Sequence, residues 1–185
     1  LGVAEQLGRI FGGLGDALPA TIEIEYQGEL AGYDTRILTL SVLKGIFGCV
    51  SDEPVSYVNA PRLATEHGLQ GKGSASSINL LSISGGGHQI AGTLVGLKAD
   101  ARVVQIDGHS LDVPPSANLL VVRNDDRPGV IGRVGTILGD AGVNIADMDV
   151  GRAAEPGTAV MLIAPTASVP TEVVESLRRA PGIIS

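Results

Sequence analysis

From Asn118 to Ser185 the apolar residues switch between a period of two and a period of 3.6, and the order of the switches leaves few folds open. Asn118-Leu119-Leu120-Val121-Val122 predicts a strand, and Arg123–Gly129 is a polar loop. Val130, Val134, Ile137, Leu138 and Ala141 then form one helical stripe that stops at Gly142. Val143–Val150 predicts a strand, Ala153–Gly157 a turn and Ala159–Ala164 another strand. Val173, Val174 and Leu177 mark a helix starting near Pro170 or Thr171, and Ile183-Ile184 opens a last strand. A βαββαβ order of this kind is an α+β design, an antiparallel four-stranded sheet with both helices on one face.

Upstream the pattern is mixed. Val3, Leu7, Ile10, Phe11, Leu14 and Leu18 fall at helical spacing, with Pro19 closing the helix. The chain runs into this helix without a Met, as a fragment or a domain cut from something larger begins. Thr21–Tyr26 alternates as a half-buried strand, Gln27–Gly32 reads as a turn, and Ile37, Leu40, Val42, Leu43 and Phe47 predict a second helix. Val55–Val58 predicts a short strand, and Asn59 caps a helix through Glu66, with Pro61 in its first turn and Gly68 as its stop. Ser74–Ser84, Gln89–Leu97 and Arg102–Ile106 predict strands, joined through Gly85–Gly87 and followed by a tight turn at Asp107-Gly108 toward Leu111. Val113-Pro114-Pro115-Ser116 reads as a linker, dividing the chain into domains 1–116, mixed α/β, and 117–185.

Composition excludes several functions. Thirteen basic against 20 acidic residues give a net charge of −7, and the chain holds 2 Phe, 3 Tyr and no Trp. Nucleic-acid binding needs clustered cations or stacking platforms, so neither duplex nor single strand is an expected partner. The lone Cys49 cannot staple the chain and has no base near it in sequence, which points to a buried structural thiol in a reducing compartment. Apolar runs fall far short of the ~20 residues that span a bilayer. No signal peptide leads the chain, so the expected location is the cytoplasm.

The 26 glycines raise the question of phosphate loops. Gly71-Lys72-Gly73-Ser74 resembles the end of a P-loop, yet position 67 is His67 rather than Gly, and a strand pattern follows instead of a helix. Gly85-Gly86-Gly87 is accounted for by a hairpin, and no dinucleotide fingerprint follows a strand, so no cofactor is expected in this chain. His67, His88 and His109 do not fall at metal-ligand spacing, and no catalytic constellation stands out.

The informative stretch is Arg123-Asn124-Asp125-Asp126-Arg127-Pro128-Gly129-Val130, followed by Gly142-Val143-Asn144-Ile145-Ala146. A local reading explains it: Asp126 near a helix N-terminus, Pro128 in the first turn, Asn144 in a tight helix-to-strand turn. A functional reading competes. Asn124 and Asp126 are two apart and share a side. An α-amino acid offers an ammonium, which wants a carboxylate or amide oxygen, and a carboxylate, which wants N–H donors such as a helix start.

At these residues the sequence resembles a known family. Residues 118–185 resemble an ACT domain, a ferredoxin-like βαββαβ module that binds amino acids, through Asp126-Arg127-Pro128-Gly129-Val130 and Gly142–Ala146. Residues 1–116 resemble the intervening allosteric-substrate-binding domain that precedes ACT in the long form of bacterial D-3-phosphoglycerate dehydrogenase. The matching residues are Tyr26–Ala31, Leu43-Lys44-Gly45, Val58–Pro61, Gly92-Thr93-Leu94 and Gln105–Gly108.

The resemblance implies an L-serine feedback site between side-by-side ACT domains of a homo-oligomer, with Asn124, Asp126, Pro128 and Gly129 from one subunit and Asn144 from a neighbour. It also implies an anion site in the intervening domain, where Arg102 matches one base, His109 falls near another, and Pro114 stands where a further Arg is expected. Many members carry an aromatic residue or His in place of Asn124, and the family pattern continues past Ser185. NAD and the catalytic residues belong to domains of the parent enzyme that precede Leu1, so this chain alone is expected to be inactive. Two other readings stay open: the β part of an iron–sulfur L-serine dehydratase, and a stand-alone amino-acid sensor.

Overall fold

A computed structural model of the chain describes residues 2–15, 17–50, 56, 59, 62, 70–74, 79–152 and 157–185; for 49, 50, 70–74 and 152 the backbone alone is described. Apart from Ser56, Asn59 and Arg62, the strand expected at Val55–Val58 and the helix from Asn59 to Glu66 lie outside the described residues, as do His67 and the side chain of Cys49. The chain divides into two compact units, Leu1–Asp107 and Gly108–Ser185.

In the first unit, α1 (Gly2–Gly12) buries Ala4, Leu7, Gly8 and Phe11. It stops well before Leu18. Its last amides tighten onto nearer carbonyls, Gly13 N on Ile10 O at 3.0 Å and Leu14 N on Phe11 O at 3.1 Å. Glycines at 12, 13 and 15 leave the helix little to gain from another turn. Strand β1 (Glu23–Gln27) alternates as expected, with Ile22, Ile24 and Tyr26 buried. A 3-10 turn over Gly28–Gly32 leads into α2 (Arg36–Val50). The two helices meet main chain to main chain at Gly8 and Gly45, and Lys44 Nζ pairs with Glu5 Oε2 at 3.0 Å beside that crossing.

Behind the helices lies a sheet in which β2 (Gln70–Ser74), β1, β3 (Leu80–Gly85), β4 (His88–Val95) and β5 (Asp100–Ile106) stand in that order. Leu7 of α1 rests on the bare α-carbon of Gly92 in β4, next to a bulge between Ala91 and Gly92. Of the strand expected over Ser74–Ser84, Leu80–Ser84 belongs to β3, Ser74 ends a separate strand β2, and 75–78 lie outside the described residues. Strand β2 pairs parallel to β1, Glu23 with Gln70 through Gln27 with Ser74. Its sequence, Gln-Gly-Lys-Gly-Ser, has no apolar alternation to announce it, and its pairing with β1 is made through the backbone.

In the second unit, β6 (His109–Val113), β7 (Leu120–Asp125), α3 (Val130–Asp140), β8 (Ile145–Arg152), β9 (Thr158–Pro165) and α4 (Thr171–Arg178) follow in order. Strand β9 lies between β7 and β8, antiparallel to both. Its residues from Ala159 to Pro165 are all buried, which two covered faces require. One face meets the core of Val122, Val130, Val134, Leu138, Val143, Met161, Ile163 and Leu177. Near the other, β6 runs against β8, where Gly151 makes room for Ser110 and His109. Burying side chains such as Val134 and Leu138 contributes roughly 1.5–3 kcal/mol each.

The βαββαβ order is present in its ferredoxin-like arrangement, but the fourth strand is reduced to a bridge between Asn124 and Ile183. That bridge is flanked by Arg123 N on Ser185 O at 2.8 Å and Asp125 N on Gly182 O at 2.9 Å.

Candidate functional site

The loop between β7 and α3 brings four sequence-predicted residues together. Asn124, the last but one of β7, is buried at 3 % exposure. Its Nδ2 donates to the carbonyl of Asp125 at 2.8 Å, while its Oδ1 is buried with no hydrogen-bond partner among the described residues. Asp126, Arg127, Pro128 and Gly129 follow, all exposed. Arg127 N donates to Asp125 O at 2.8 Å, and Arg127 Nε lies 3.2 Å from Asp125 Oδ2.

Helix α3 starts later than its sequence suggests. Gly129 takes φ +90° and occupies the capping position with no side-chain cap, so Pro128 precedes the helix instead of standing in its first turn. A left-handed turn costs glycine little. The first N–H groups of such a helix have no intrahelical acceptor and favour a nearby anion.

Asn124, Asp126, Arg127, Ile131 and Val150 line a recess of about 280 Å³. It holds a carboxylate, an amide, a guanidinium and two aliphatic walls, a set that complements a small zwitterion with a short side chain. Arg127 was legible within the quoted motif, although no role followed from its position. Ile131 and Val150 carry no signal in sequence, since Val150 reaches the site from another strand of the sheet.

Asn144 does not join them. It is exposed just before β8, and its carbonyl accepts Thr166 N at 2.9 Å. Asn124 is opposite Ala159, which is opposite Arg152 at the far end of β8. At about 3.3 Å per residue, Asn144 stands roughly 20 Å along the strand from Val150 in the recess.

The two bases of the expected anion site fall in different units. Arg102 is half-buried on β5 opposite Thr93, and His109 is buried at the start of β6 against Gly151. In the first unit His88 Nδ1 lies 3.0 Å from Asp107 Oδ2, at the edge of a second recess of about 180 Å³ that Phe11, Leu18, Pro19 and Gly86 also line. On the exposed loop before α2, hydrogen bonds from Arg36 hold the Asp34 carboxyl down at about 2. Among the described residues no three His, Cys, Asp or Glu side chains gather as a metal site. No described helix is long and apolar enough to cross a membrane.

The family model of the D-3-phosphoglycerate dehydrogenase intervening domain matches residues 1–107, and that of the ACT domain matches residues 118–182. A D-3-phosphoglycerate dehydrogenase of Mycobacterium leprae is 38% identical over 168 residues, which are 85% of this chain and 32% of that protein. Its namesake in Bacillus subtilis is 33% identical over 172 residues, 89% of this chain and 33% of that protein. In Archaeoglobus fulgidus the figures are 32% over 196 aligned positions, 100% and 37%. The chain thus spans about a third of the length of the curated relatives it matches. It belongs to the D-3-phosphoglycerate dehydrogenase intervening-domain family and carries an ACT domain after that domain.

Proposed function

We propose that this chain is the regulatory region of an NAD-dependent D-3-phosphoglycerate dehydrogenase of serine biosynthesis, with domains at 1–116 and 117–185, working in the cytoplasm. In this reading the recess beside α3 binds L-serine as a feedback inhibitor. Asp126 takes the ammonium, Arg127 and the helix start behind Pro128-Gly129 take the carboxylate, and Asn124 takes a remaining donor. The observation that carries it is the buried Oδ1 of Asn124, an acceptor without a partner among the described residues in a recess already lined by both charges of a zwitterion complement.

A homo-oligomer completes the site. Serine has few heavy atoms, and the best small ligands gain about 1.5 kcal/mol per atom at most, so nearly every atom must be engaged. Since Asn144 lies at the other end of its own sheet, its contribution comes from a neighbouring copy across side-by-side ACT domains. Arg102, on β5 of the first unit, stands as a base of a separate site for a substrate-like anion in the intervening domain. NAD and the oxidation of phosphoglycerate belong to the rest of the parent enzyme.

Titration calorimetry of the chain with L-serine tests this reading. Heat from the wild type that falls away in Asn144→Ala supports it; no heat from the wild type sinks it. NAD reduction by the purified chain would overturn the assignment as a regulatory region.

A further inference from the structure

Asp125 is not among the residues lining the recess, yet the recess's polar groups are tied to it. Its carbonyl accepts Asn124 Nδ2 at 2.8 Å and Arg127 N at 2.8 Å. Its Oδ2 holds Arg127 Nε at 3.2 Å. Its own N–H donates to Gly182 O at 2.9 Å. The other carboxylate oxygen, Oδ1, is buried over Gly182, so close that a β-carbon there would stand 2.6 Å from it and 2.8 Å from Val130 Cγ2.

The C-terminal segment therefore grips both elements that build the recess. It holds β7 through Asp125 and Arg123, and it holds α3 through Arg133, whose Nη1 donates to Pro181 O. We propose that Asp125, seated on Gly182, is a positioning residue of the recess: it aims the Arg127 guanidinium and the Asn124 amide, so the C-terminal segment sets ligand affinity without touching the ligand. The proposal rests on the amino-acid reading of the recess. Arg127 is largely exposed, and a long exposed side chain loses rotamer freedom when a ligand orders it. Asp125 orders Arg127 in advance, which lowers that cost at binding.

The test compares the full chain with Asp125→Asn and Gly182→Ala, using L-serine calorimetry, thermal midpoints and the Arg127 Nε–H resonance in nitrogen-15 NMR. Asn keeps the shape of Asp125 while removing the charge that holds Arg127. Its L-serine affinity is expected to fall about three- to fivefold at an almost unchanged melting temperature, the size expected of an exposed pair. The Arg127 Nε–H signal should move and exchange faster. Gly182→Ala should act in the same direction although it adds nothing to the recess. Asp125→Asn should cost no further affinity once Arg127 is already Gln, since the two act as one unit.

An unmoved Arg127 signal in Asp125→Asn overturns the proposal, as does wild-type affinity in that variant or full additivity with Arg127→Gln. If Gly182→Ala fails to fold, Asp125→Asn carries the comparison by itself. A wild type that gives no heat with L-serine defeats the amino-acid reading, and the Arg127 resonance then still decides the positioning.

Discussion

A β-carbon on Gly45 would stand 2.0 Å from the carbonyl oxygen of Glu5, so α1 and α2 touch through their main chains and leave no room for any side chain at that point. Gly8 answers it from the other helix, with 2.1 Å to Val42 O. Backbone cannot swing aside as a side chain can, so Gly45→Ala and Gly8→Ala must separate the helices. Overpacking costs typically about 1–3 kcal/mol and more where the obstacle is main chain. Denaturant midpoints should place both variants at or beyond that limit. Gly135→Ala, in α3 with nothing within 4 Å of the added carbon, should stabilise by about 0.5–1 kcal/mol.

Asn124→Val separates stability from binding. A buried acceptor without a partner costs about 1–3 kcal/mol, and valine suits a strand better than asparagine does. The Asp125 carbonyl keeps Arg127 N as a donor after the change. The variant should therefore unfold at equal or higher denaturant than the wild type while its heat with L-serine disappears. A clear loss of stability would show that the amide is structural.

Because Asn144 cannot reach its own recess, the shared site predicts complementation. Asn124→Ala and Asn144→Ala should each abolish L-serine binding when alone. Mixed and reassociated as two-fold dimers, half the molecules pair one of each, and one of their two sites is intact. Roughly a quarter of the sites should return by calorimetric stoichiometry. No recovery would mean that Asn144 serves its own subunit in some other role.

Tyr26 gives the fold an alkaline limit. Its phenol is buried and its pKa is raised above 10.0, burial being the main cause. The hydroxyl lies 2.7 Å from Thr39 Oγ1, whose own hydrogen goes to Thr35 O at 3.1 Å, so Tyr26 is the donor. Thr39 offsets the effect of burial once it turns that hydrogen toward the phenolate. With the folded value above the unfolded one, this contribution to stability is complete below pH 10 and is lost as the pH rises through the folded value. Unfolding midpoints measured from pH 9 to 11.5 should fall for the wild type and stay flatter in Tyr26→Phe.

Much of this protein is written in short-range pattern. The alternation of Thr21–Tyr26, the stripe of Val130, Val134 and Leu138, and the turns at Gly86-Gly87 and Asp107-Gly108 are local consequences of which residues must be buried and which can take positive φ. The loop that lines the recess was legible for the same reason: Asn124 through Gly129 are neighbours in sequence, so their meeting in space needs no long-range contact. Two expectations missed, one for a distant reason and one for a local one. The parallel pairing of Gln70–Ser74 with β1 is a backbone event without a side-chain pattern, and the end of α1 at Gly12 was set by three glycines that outweighed an apolar period.

The sequence by itself determined the order of elements and the chemistry of the loop, because periodic burial and turn propensity act over a few residues. Tertiary structure decided what that chemistry faces. It placed Ile131 and Val150 around the recess, carried Asn144 to the far end of β8, and set Asp125 on Gly182, residues 57 positions apart in the chain. Those relationships depend on sheet register and on the space a missing side chain leaves, and neither exists until the strands have paired.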